Sequence, residues 1–489
     1  LPQITSELMR GAYCWPQSAL PGEAITVFFG PNPSSLSITI TREGKESKEV
    51  LSASGIDSPE QPIPADVSKE GVDWTPCFDF EVSQDWDSGF YLVSVTDDEG
   101  RISEAFFVVR SNRILEAMLV LSTSTWAAYN HWGGPSFYMG SSHSSLRRPL
   151  PKGFLSKEDP MSHRIAQYMY WDESMQDKIQ SQRYSAWCMA AGWANQEVLF
   201  ARWAEENGLN LGYAISEDLD KDPNLLDGYP LYISVGHDEY WSTAMRDNVE
   251  GFISSGGKAA FFSGNTAFWQ ARFEDDQQTL VSYKTNLEAD PYYDPSHAPG
   301  LTSMWSDPLV GRPESEMTGV SFTYGGYAHM PNAPKGTGGY QVWEPDHWAF
   351  DSVGATLGSD LGTEDVTVGY ECDGCPIEVI EGVPKPIESG VPEGFRILAT
   401  APAHLWETQE APTMPDGYIG ELNWVAARLG GEDTESIRAK YANGHAVMGI
   451  FHKGEGEVFT TGCTDWAYGL KQQDVSTVTR NLIDRFLDR

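Results

Sequence analysis

The sequence is poor in positive charge. Among its 489 residues, 33 Lys and Arg stand against 70 Asp and Glu, which gives a formal net charge of −37. A field of this sign repels phosphate backbones and anionic lipid surfaces, so we exclude nucleic acid and membranes as main partners. The expected ligand is a neutral or cationic small molecule, and the alternative is that the acidic surface serves solubility alone.

Long apolar runs are also missing. A membrane-spanning helix needs about 18 or more consecutive apolar residues, whereas the longest run, around Ala117 to Leu121, has the length of a strand. The chain begins at Leu1 without a signal-peptide pattern or an initiating Met. We therefore expect a cytoplasmic protein, while removal of a leader from a periplasmic or secreted protein stays open.

Cysteine is scarce, and the six residues are spread over the chain, which excludes a disulfide-rich scaffold. Cys14 and Cys77 share the first predicted domain and could pair in an oxidising compartment. Cys372 and Cys375 have the spacing of a zinc-ribbon or redox pair, but a structural zinc site needs two more ligands. Two ordinary thiols in a turn are the alternative.

The first part of the chain has the pattern of a β-sandwich. Short segments with alternating or continuous apolar residues, such as Ala24–Phe29 and Leu36–Thr41, are separated by turns rich in Gly, Pro and Asn. Strands at this spacing are typical of an immunoglobulin-like sandwich. We assign residues 1–112 to it.

Residues 113–489 have the pattern of an α/β domain. Buried-strand runs occur at Ile114–Leu121, Leu231–Val235 and Ala259–Phe262, and a closing strand at Glu457–Thr461 is expected to rejoin the same sheet. Helix patterns extend over Glu197–Gly208, Thr243–Ser255, Asn423–Arg428 and Val478–Leu487. Strand, helix and strand in this order favour a parallel sheet with right-handed crossovers. We predict a flavodoxin-like (glutamine-amidotransferase-like) domain, with an irregular β-rich insertion of Gly, Pro and aromatic residues at about 275–415.

Four loops that follow predicted strands combine polar groups with Trp: Ser122–Trp132, Gly236–Trp241, Ser263–Trp269 and Gly462–Tyr468. Open α/β sheets bind ligands at the carboxyl ends of their strands, so we expect these loops to meet at one aromatic pocket. The predicted substrate-binding residues are Trp126, Tyr129, Trp132, Trp241, Trp269 and Trp466.

The segment Gly236–Trp241 carries the densest chemistry. His237, Asp238, Glu239 and Tyr240 place an imidazole, two carboxylates and a phenol between a strand end and a helix start. These groups suit proton transfer or metal ligation. The alternative is that the carboxylates cap the helix and the imidazole braces the turn.

Two asparagines complete the predicted catalytic set. Asn130 and Asn265 lie in the loops after the first and third strands of the predicted parallel sheet, where an amide side chain can orient a substrate amide or a water. Loop packing for Asn130 and an Asx turn for Asn265 are the alternatives.

The motifs resemble those of the N,N-dimethylformamidase large (beta) subunit family. The likeness extends over nearly the whole chain and is carried by Ser122–Asn130, Val235–Trp241, Phe262–Asn265, Gly311–Glu314, Asp346–Trp348 and Thr464–Trp466. It implies an amide hydrolase that splits a formamide into formate and an amine. It also implies a small subunit, and the sequence of this chain gives no information about that subunit. We further expect a homo-oligomer.

The resemblance further implies a single ferric iron held by two tyrosines and a glutamate. Hard oxygen ligands of this kind suit Fe³⁺, which would polarise the carbonyl and supply hydroxide. Tyr240 matches one tyrosine, and Leu199 stands at the position of the other. The candidates for the glutamate position are Glu288, Asp290 and His297.

Three functions of different classes are therefore weighed. The first is hydrolysis of a C–N bond in a small amide, with or without iron. The second is another reaction on the same scaffold, for example on carbohydrates, because Trp-lined clefts stack well on sugar rings. The third is a binding protein without catalysis. Bound iron would separate the first from the other two.

Overall fold

The computed structural model describes residues 10–162, 164, 183–410 and 419–489. Within these ranges no helix combines the length and the apolar character needed to cross a membrane. The first eight strands are β1 (Gly11–Trp15), β2 (Ser18–Ala19), β3 (Ala24–Gly30), β4 (Ser34–Glu43), β5 (Lys48–Ser58), β6 (Phe78–Glu81), β7 (Gly89–Thr96) and β8 (Ile102–Val109).

These eight strands form two sheets, ordered β2-β8-β7-β4-β5 and β1-β3-β6. Side chains alternate along β7 and β8, so that Tyr91 and Phe107 enter the core between the two sheets. Phe90 and Phe106 point the other way, into the main core of the protein. Phe90 stacks on Trp193 with ring centres 4.3 Å apart. Because β7 and β8 contribute to both cores, the domain boundary at residue 112 stays a prediction.

The other strands are β9 (Ala117–Leu121), β10 (His143–Ser145), β11 (Leu211–Ile215), β12 (Leu231–His237), β13 (Tyr240–Trp241), β14 (Lys258–Gly264), β15 (Trp269–Gln270), β16 (Arg272–Glu274), β17 (Thr279–Val281), β18 (Ser321–Ala328), β19 (Tyr340–Val342), β20 (Asp360–Leu361), β21 (Tyr370–Gly374), β22 (Ile377–Ile380), β23 (Val383–Pro386), β24 (Arg396–His404), β25 (Asn443–Lys453) and β26 (Gly456–Thr460).

The described α-helices are α1 (Val67–Glu70), α2 (Thr123–Tyr129), α3 (Gln196–Glu206), α4 (Ser216–Lys221), α5 (Thr243–Ser254), α6 (Ser315–Thr318), α7 (Glu421–Leu429), α8 (Glu435–Tyr441) and α9 (Gln473–Phe486). Of these, α3, α5, α7 and α9 are the helices that the sequence patterns predict.

The main sheet is mixed. Its order is β11-β9-β12-β14-β26-β25-β24-β18-β21, and β19 and β20 attach beside β24. The strands from β11 to β26 pair in parallel, whereas those from β26 to β21 pair antiparallel. The predicted flavodoxin-like parallel-sheet fold with an immunoglobulin-like sandwich is therefore wrong, because the sheets are mainly antiparallel or mixed and the described strands outnumber the described helices.

The error has a physical origin. The strand–helix–strand pattern extends only over the parallel half of the sheet, where β9, β12 and β14 are continuous buried runs. The antiparallel half takes β18, β21 and β24 from the segment at 275–415, whose glycines and prolines conceal the strand pattern. The closing strand β26 rejoins the sheet between β14 and β25, as predicted.

At the end of β14, Gly264 packs closely against the backbone of two other segments, and a substitution there tests this packing. A Cβ at Gly264 would lie 2.6 Å from the carbonyl oxygen of Glu371 and would also clash with the backbone of Thr464. We expect Gly264→Ala to lower the unfolding free energy by about 1–3 kcal/mol. The matched control is Gly251→Ala in α5, where a Cβ meets nothing within 4 Å. That change should stabilise by about 0.5–1 kcal/mol. Urea unfolding of both variants measures the difference, and equal effects would contradict this packing.

Candidate active site

A cavity of about 350 Å³ lies where β12 and β14 end. The loops after these strands meet residues 137–142, residues 282–286, β21 and α7 around it. In the part of the chain that the structure describes, its charged lining side chains are Glu239, Glu371, Glu421 and Lys284. Much of its wall is aromatic, and the larger rings include Tyr129, Tyr138, Trp187, Trp269, Trp406 and Trp424.

His237 is the last residue of β12 and stands next to this cavity. Gly236 precedes it with a φ of 78°, a conformation that favours glycine. Nδ1 of His237 donates to the carbonyl oxygen of Ala190 at 2.8 Å. Nε2 lies 2.6 Å from Glu371 Oε2 and 3.3 Å from Glu239 Oε2. These two contacts are ion pairs by distance, but their angles do not meet the geometry of a hydrogen bond.

These contacts keep the imidazole charged. Burial alone would lower the pKa of His237, but the carboxylates of Glu371 and Glu239 outweigh burial and raise the pKa to about 9. An unfolded histidine has a pKa of about 6.5. Protonation of His237 therefore stabilises the fold in full below about pH 6.5, and this contribution is lost as the pH rises through about 9.

Glu239 is held by phenols. Tyr138 Oη lies 2.7 Å from both oxygens of the Glu239 carboxylate and donates to it. Tyr129 Oη donates to Oε2 at 3.2 Å, and Tyr240 Oη donates to Tyr138 Oη at 3.0 Å. Burial raises the pKa of Glu239, although the charge of His237 opposes it. Burial also holds the pKa values of Tyr138 and Tyr240 far above their usual range.

Glu371 reaches the cavity because β21 folds over the ends of the parallel strands. Cys372 pairs with Cys463 in an antiparallel bridge, and the amide of Asp373 donates to the carbonyl oxygen of Gly462 at 2.9 Å. The Asp373 carboxylate accepts hydrogen bonds from the backbone amide of Asn265 at 2.9 Å and from the next amide at 3.0 Å. This fixes β21 against the loop after β14.

The carboxylate of Glu371 has one occupied and one open oxygen. Oε2 accepts from Asn265 Nδ2 at 3.0 Å and contacts His237 Nε2. Across the described ranges Oε1 has no hydrogen-bond partner, and Glu371 lines the cavity. This oxygen is therefore positioned to bind a water or a substrate group.

Lys284 brings positive charge into the same space. Its Nζ lies 3.6 Å from the ring centre of Tyr138, 5.0 Å from that of Trp269 and 5.8 Å from that of Tyr240. Burial lowers the pKa of Lys284 to about 8, although nearby carboxylates, Glu239 first, oppose the shift. The amine is thus mostly protonated at neutral pH.

Three residues that line the cavity have strained backbone. Asn265, Lys284 and Tyr370 have φ values of 49°, 51° and 67°, in the left-handed region that costs a non-glycine residue about 1–2 kcal/mol. Such conformations persist only where the surroundings enforce them, and they cluster at functional sites.

The cavity brings together about half of the residues singled out from the sequence. The phenol of Tyr240 donates a hydrogen bond to Tyr138, which lines the cavity. His237 contacts the carboxylates of two lining residues, Glu239 and Glu371. The predicted residues that line the cavity are Tyr129, Glu239, Asn265 and Trp269.

The other predicted residues make structural contacts away from the cavity. Asn130 Nδ2 donates to the carbonyl oxygen of Pro149 at 3.0 Å, and Asp238 accepts from Ser234 Oγ and Trp241 Nε1. Burial raises the pKa of Asp238 to about 6. Four of the predicted substrate-binding tryptophans lie outside the lining and are buried: Trp126, Trp132, Trp241 and Trp466.

None of the positions considered for the remaining iron ligands lines the cavity. Leu199 is half-buried on α3, Glu288 and His297 are exposed, and Asp290 binds Arg272 and Thr302.

Tyr138, Tyr240 and Glu239 nevertheless join two phenols and a carboxylate within 2.7–3.0 Å steps, a set of hard oxygens that fits ferric iron. Within the described ranges no three His, Cys, Asp or Glu side chains form a metal-binding group, so a metal here would need the phenols.

All six cysteines are free thiols. The Cys14–Cys77 and Cys372–Cys375 pairings, which the sequence left open, are not formed. Cys372 instead lies 3.9 Å from Cys463, sulfur to sulfur, and both are buried.

The sequence did not single out three residues that the cavity contains. Tyr138 lies six residues after the loop Ser122–Trp132, and Glu371 directly precedes Cys372, so both stand beside segments that the sequence analysis singles out. Lys284 has no such neighbour. Its position depends on the fold of residues 282–286 against β17 and the segment at 302, which no local pattern specifies.

The charge of His237 can be measured directly. In metal-free protein we expect the ring to titrate near pH 9 by NMR, because Glu371 and Glu239 stabilise the imidazolium. Glu371→Gln removes the nearest charge and should bring the pKa below about 8. His131, whose pKa burial lowers to about 4, is the internal reference and should not move. A His237 pKa unchanged by Glu371→Gln would contradict the ion-pair assignment.

Comparison with known proteins finds relatives over most of the chain. The chain is 20% identical over 458 residues to the N,N-dimethylformamidase beta subunit of Alcaligenes sp and equally to that of Paracoccus aminophilus. Each alignment covers 85% of this chain and 54% of the relative, so the chain spans about half the length of the curated relatives it matches.

Among solved structures, murine CEACAM1b matches 23% of this chain and 62% of its own at 12% identity and a TM-score of 0.14, too distant to bear on the fold. The model of the N,N-dimethylformamidase beta subunit-like, C-terminal, family matches residues 38–479. On this match over most of its length, the chain belongs to the N,N-dimethylformamidase beta subunit-like family.

Proposed function

We propose that this protein hydrolyses the C–N bond of a small, formamide-like amide to a carboxylic acid and an amine. The observation that carries the proposal is the Glu371 carboxylate, whose Oε1 is open to an aromatic-walled cavity while its Oε2 is fixed by Asn265 and His237. The relatives named N,N-dimethylformamidase beta subunits support the choice of amide.

Glu371 acts as the general base. Its open oxygen accepts a proton from a water, and the water oxygen attacks the carbonyl carbon of the amide. The resulting tetrahedral species collapses as the C–N bond breaks and a proton passes to the nitrogen. His237 holds Glu371 and Glu239 at a fixed separation, because its imidazolium offsets the repulsion between them. Asn265 is a positioning residue for Glu371.

The aromatic wall binds the substrate. Rings such as Trp187 and Trp269 remove apolar amide substituents from water and leave little room for bulk solvent. Within the described ranges three carboxylates and one lysine line the cavity, which favours a neutral or cationic substrate over an anionic one.

An iron ion would be held by Tyr138, Tyr240 and Glu239, and when bound it would act as a Lewis acid on the amide carbonyl. The three side chains already lie in one hydrogen-bonded chain, so their phenol protons would have to leave for the ion to bind. The name of the relatives, a beta subunit, supports a partner subunit, and assembly of several copies of this chain stays a prediction.

Glu371→Gln is the sharpest test of the reaction. With N,N-dimethylformamide and N-alkylformamides as substrates, released amine measures turnover. We expect the variant to lower kcat by about 10²-fold or more, the scale for loss of a general base. Glu378→Gln, an exposed residue on β22, is the matched control and should turn over as wild type does. Equal activity of both variants would contradict the role of Glu371, and wild-type protein inactive on every amide would contradict the function.

The iron ligands are tested by metal content. Protein made in iron-supplemented medium should bind iron and show a phenolate-to-iron absorption band. Tyr138→Phe and Tyr240→Phe should each lose the band and most of the metal, because each removes one ligand oxygen and keeps the ring. Tyr232→Phe removes a buried phenol outside the cavity and should keep both. Full iron content in all three variants would remove these phenols as ligands.

A further inference from the structure

Amide hydrolysis places negative charge on the carbonyl oxygen as water adds to the carbon. A cavity that hydrolyses amides therefore needs hydrogen-bond donors or positive charge aimed at that oxygen. Glu239 and Glu371 are acceptors, and the N–H groups of His237 face Ala190 and these two carboxylates. The donor must come from another part of the wall.

Lys284 is the one Lys or Arg side chain in the cavity lining within the described ranges. Its backbone is fixed, since its amide donates to the carbonyl oxygen of Thr302 at 2.9 Å and its φ is 51°. Left-handed backbone at a lysine has no local benefit, so the surroundings hold this residue where its side chain enters the cavity.

The ammonium rests on rings and has no acceptor. Its Nζ lies over Tyr138 at 3.6 Å and near Trp269 at 5.0 Å, so the faces of these rings stabilise the charge. In the described part of the chain no side-chain or backbone oxygen accepts a hydrogen bond from Nζ. The neighbouring carboxylate of Glu239 is occupied by Tyr138 and Tyr129. The N–H donors of Lys284 are thus left for a ligand.

We propose that Lys284 is the anion-binding group of the cavity: it donates to the carbonyl oxygen of the amide as that oxygen becomes negative, and afterwards to the carboxylate product. The catalytic half of this assignment rests on the proposed function. The assignment also predicts that the cavity binds a small carboxylate or oxyanion, and this prediction is independent of the proposed function.

The first measurement is anion binding by metal-free protein, with formate as the probe. Trp269 lies close enough to Lys284 Nζ to report it through tryptophan fluorescence. Wild-type protein should bind formate, Lys284→Arg should keep most of the affinity because the charge remains, and Lys284→Met should weaken binding about 10-fold or more. Met keeps an unbranched side chain of similar length and removes the charge, so loss of side-chain volume is controlled. Equal binding by all three proteins, or none by wild type, would overturn the assignment.

The second measurement is turnover of N,N-dimethylformamide. Lys284→Met should lower kcat by about 10²–10³-fold, the scale for one oxyanion donor, with a smaller change in KM, and Lys284→Arg should restore part of the loss. A Lys284→Met enzyme with normal kcat would overturn the catalytic half. If wild type turns over no amide but loses formate binding in Lys284→Met, the proposed function fails while the anion site stands.

Discussion

The site depends on one buried ion cluster, an imidazolium between two carboxylates. His237, Glu239 and Glu371 are all at least 95% buried, and an unpaired charge at such a position is strongly destabilising. The three residues come from β12, the loop after it and β21. The imidazolium is stabilised by both carboxylates, so the cluster ties together segments that lie far apart in the sequence.

This constraint explains the position of β21. The strand belongs to the antiparallel end of the mixed sheet through β18, yet its bridge between Cys372 and Cys463 carries it back over the parallel strands. Asp373 then fixes the loop after β14 by accepting two backbone amides. Phenols donate to the carboxylate of Glu239, and Asn265 donates to Oε2 of Glu371, whose Oε1 stays open to the cavity. One side of the resulting cavity is formed by the charged groups of this cluster, and much of the rest of its lining is aromatic.

Sequence patterns predict the local parts of this arrangement and miss the long-range ones. The buried runs of β9, β12 and β14 and the helices α3 and α5 are specified by periodicity, and His237, Glu239, Tyr240 and Asn265 follow because they stand at strand ends. Glu371 and Lys284 could not be found in this way, since their neighbours are set by pairing of distant segments. Trp126 and Trp241 show the converse: a Trp beside a polar loop packs the core as readily as it lines a pocket.

The central claim is that His237 and Glu371 stabilise each other as buried charges. A double-mutant cycle on metal-free protein at pH 7, with His237→Gln, Glu371→Gln and the double variant, measures this through the free energy of unfolding. The account predicts a coupling of about 0.5–3 kcal/mol, with the double variant less destabilised than the sum of the two single variants, because each single change leaves the other group without its partner. Strictly additive effects would contradict it.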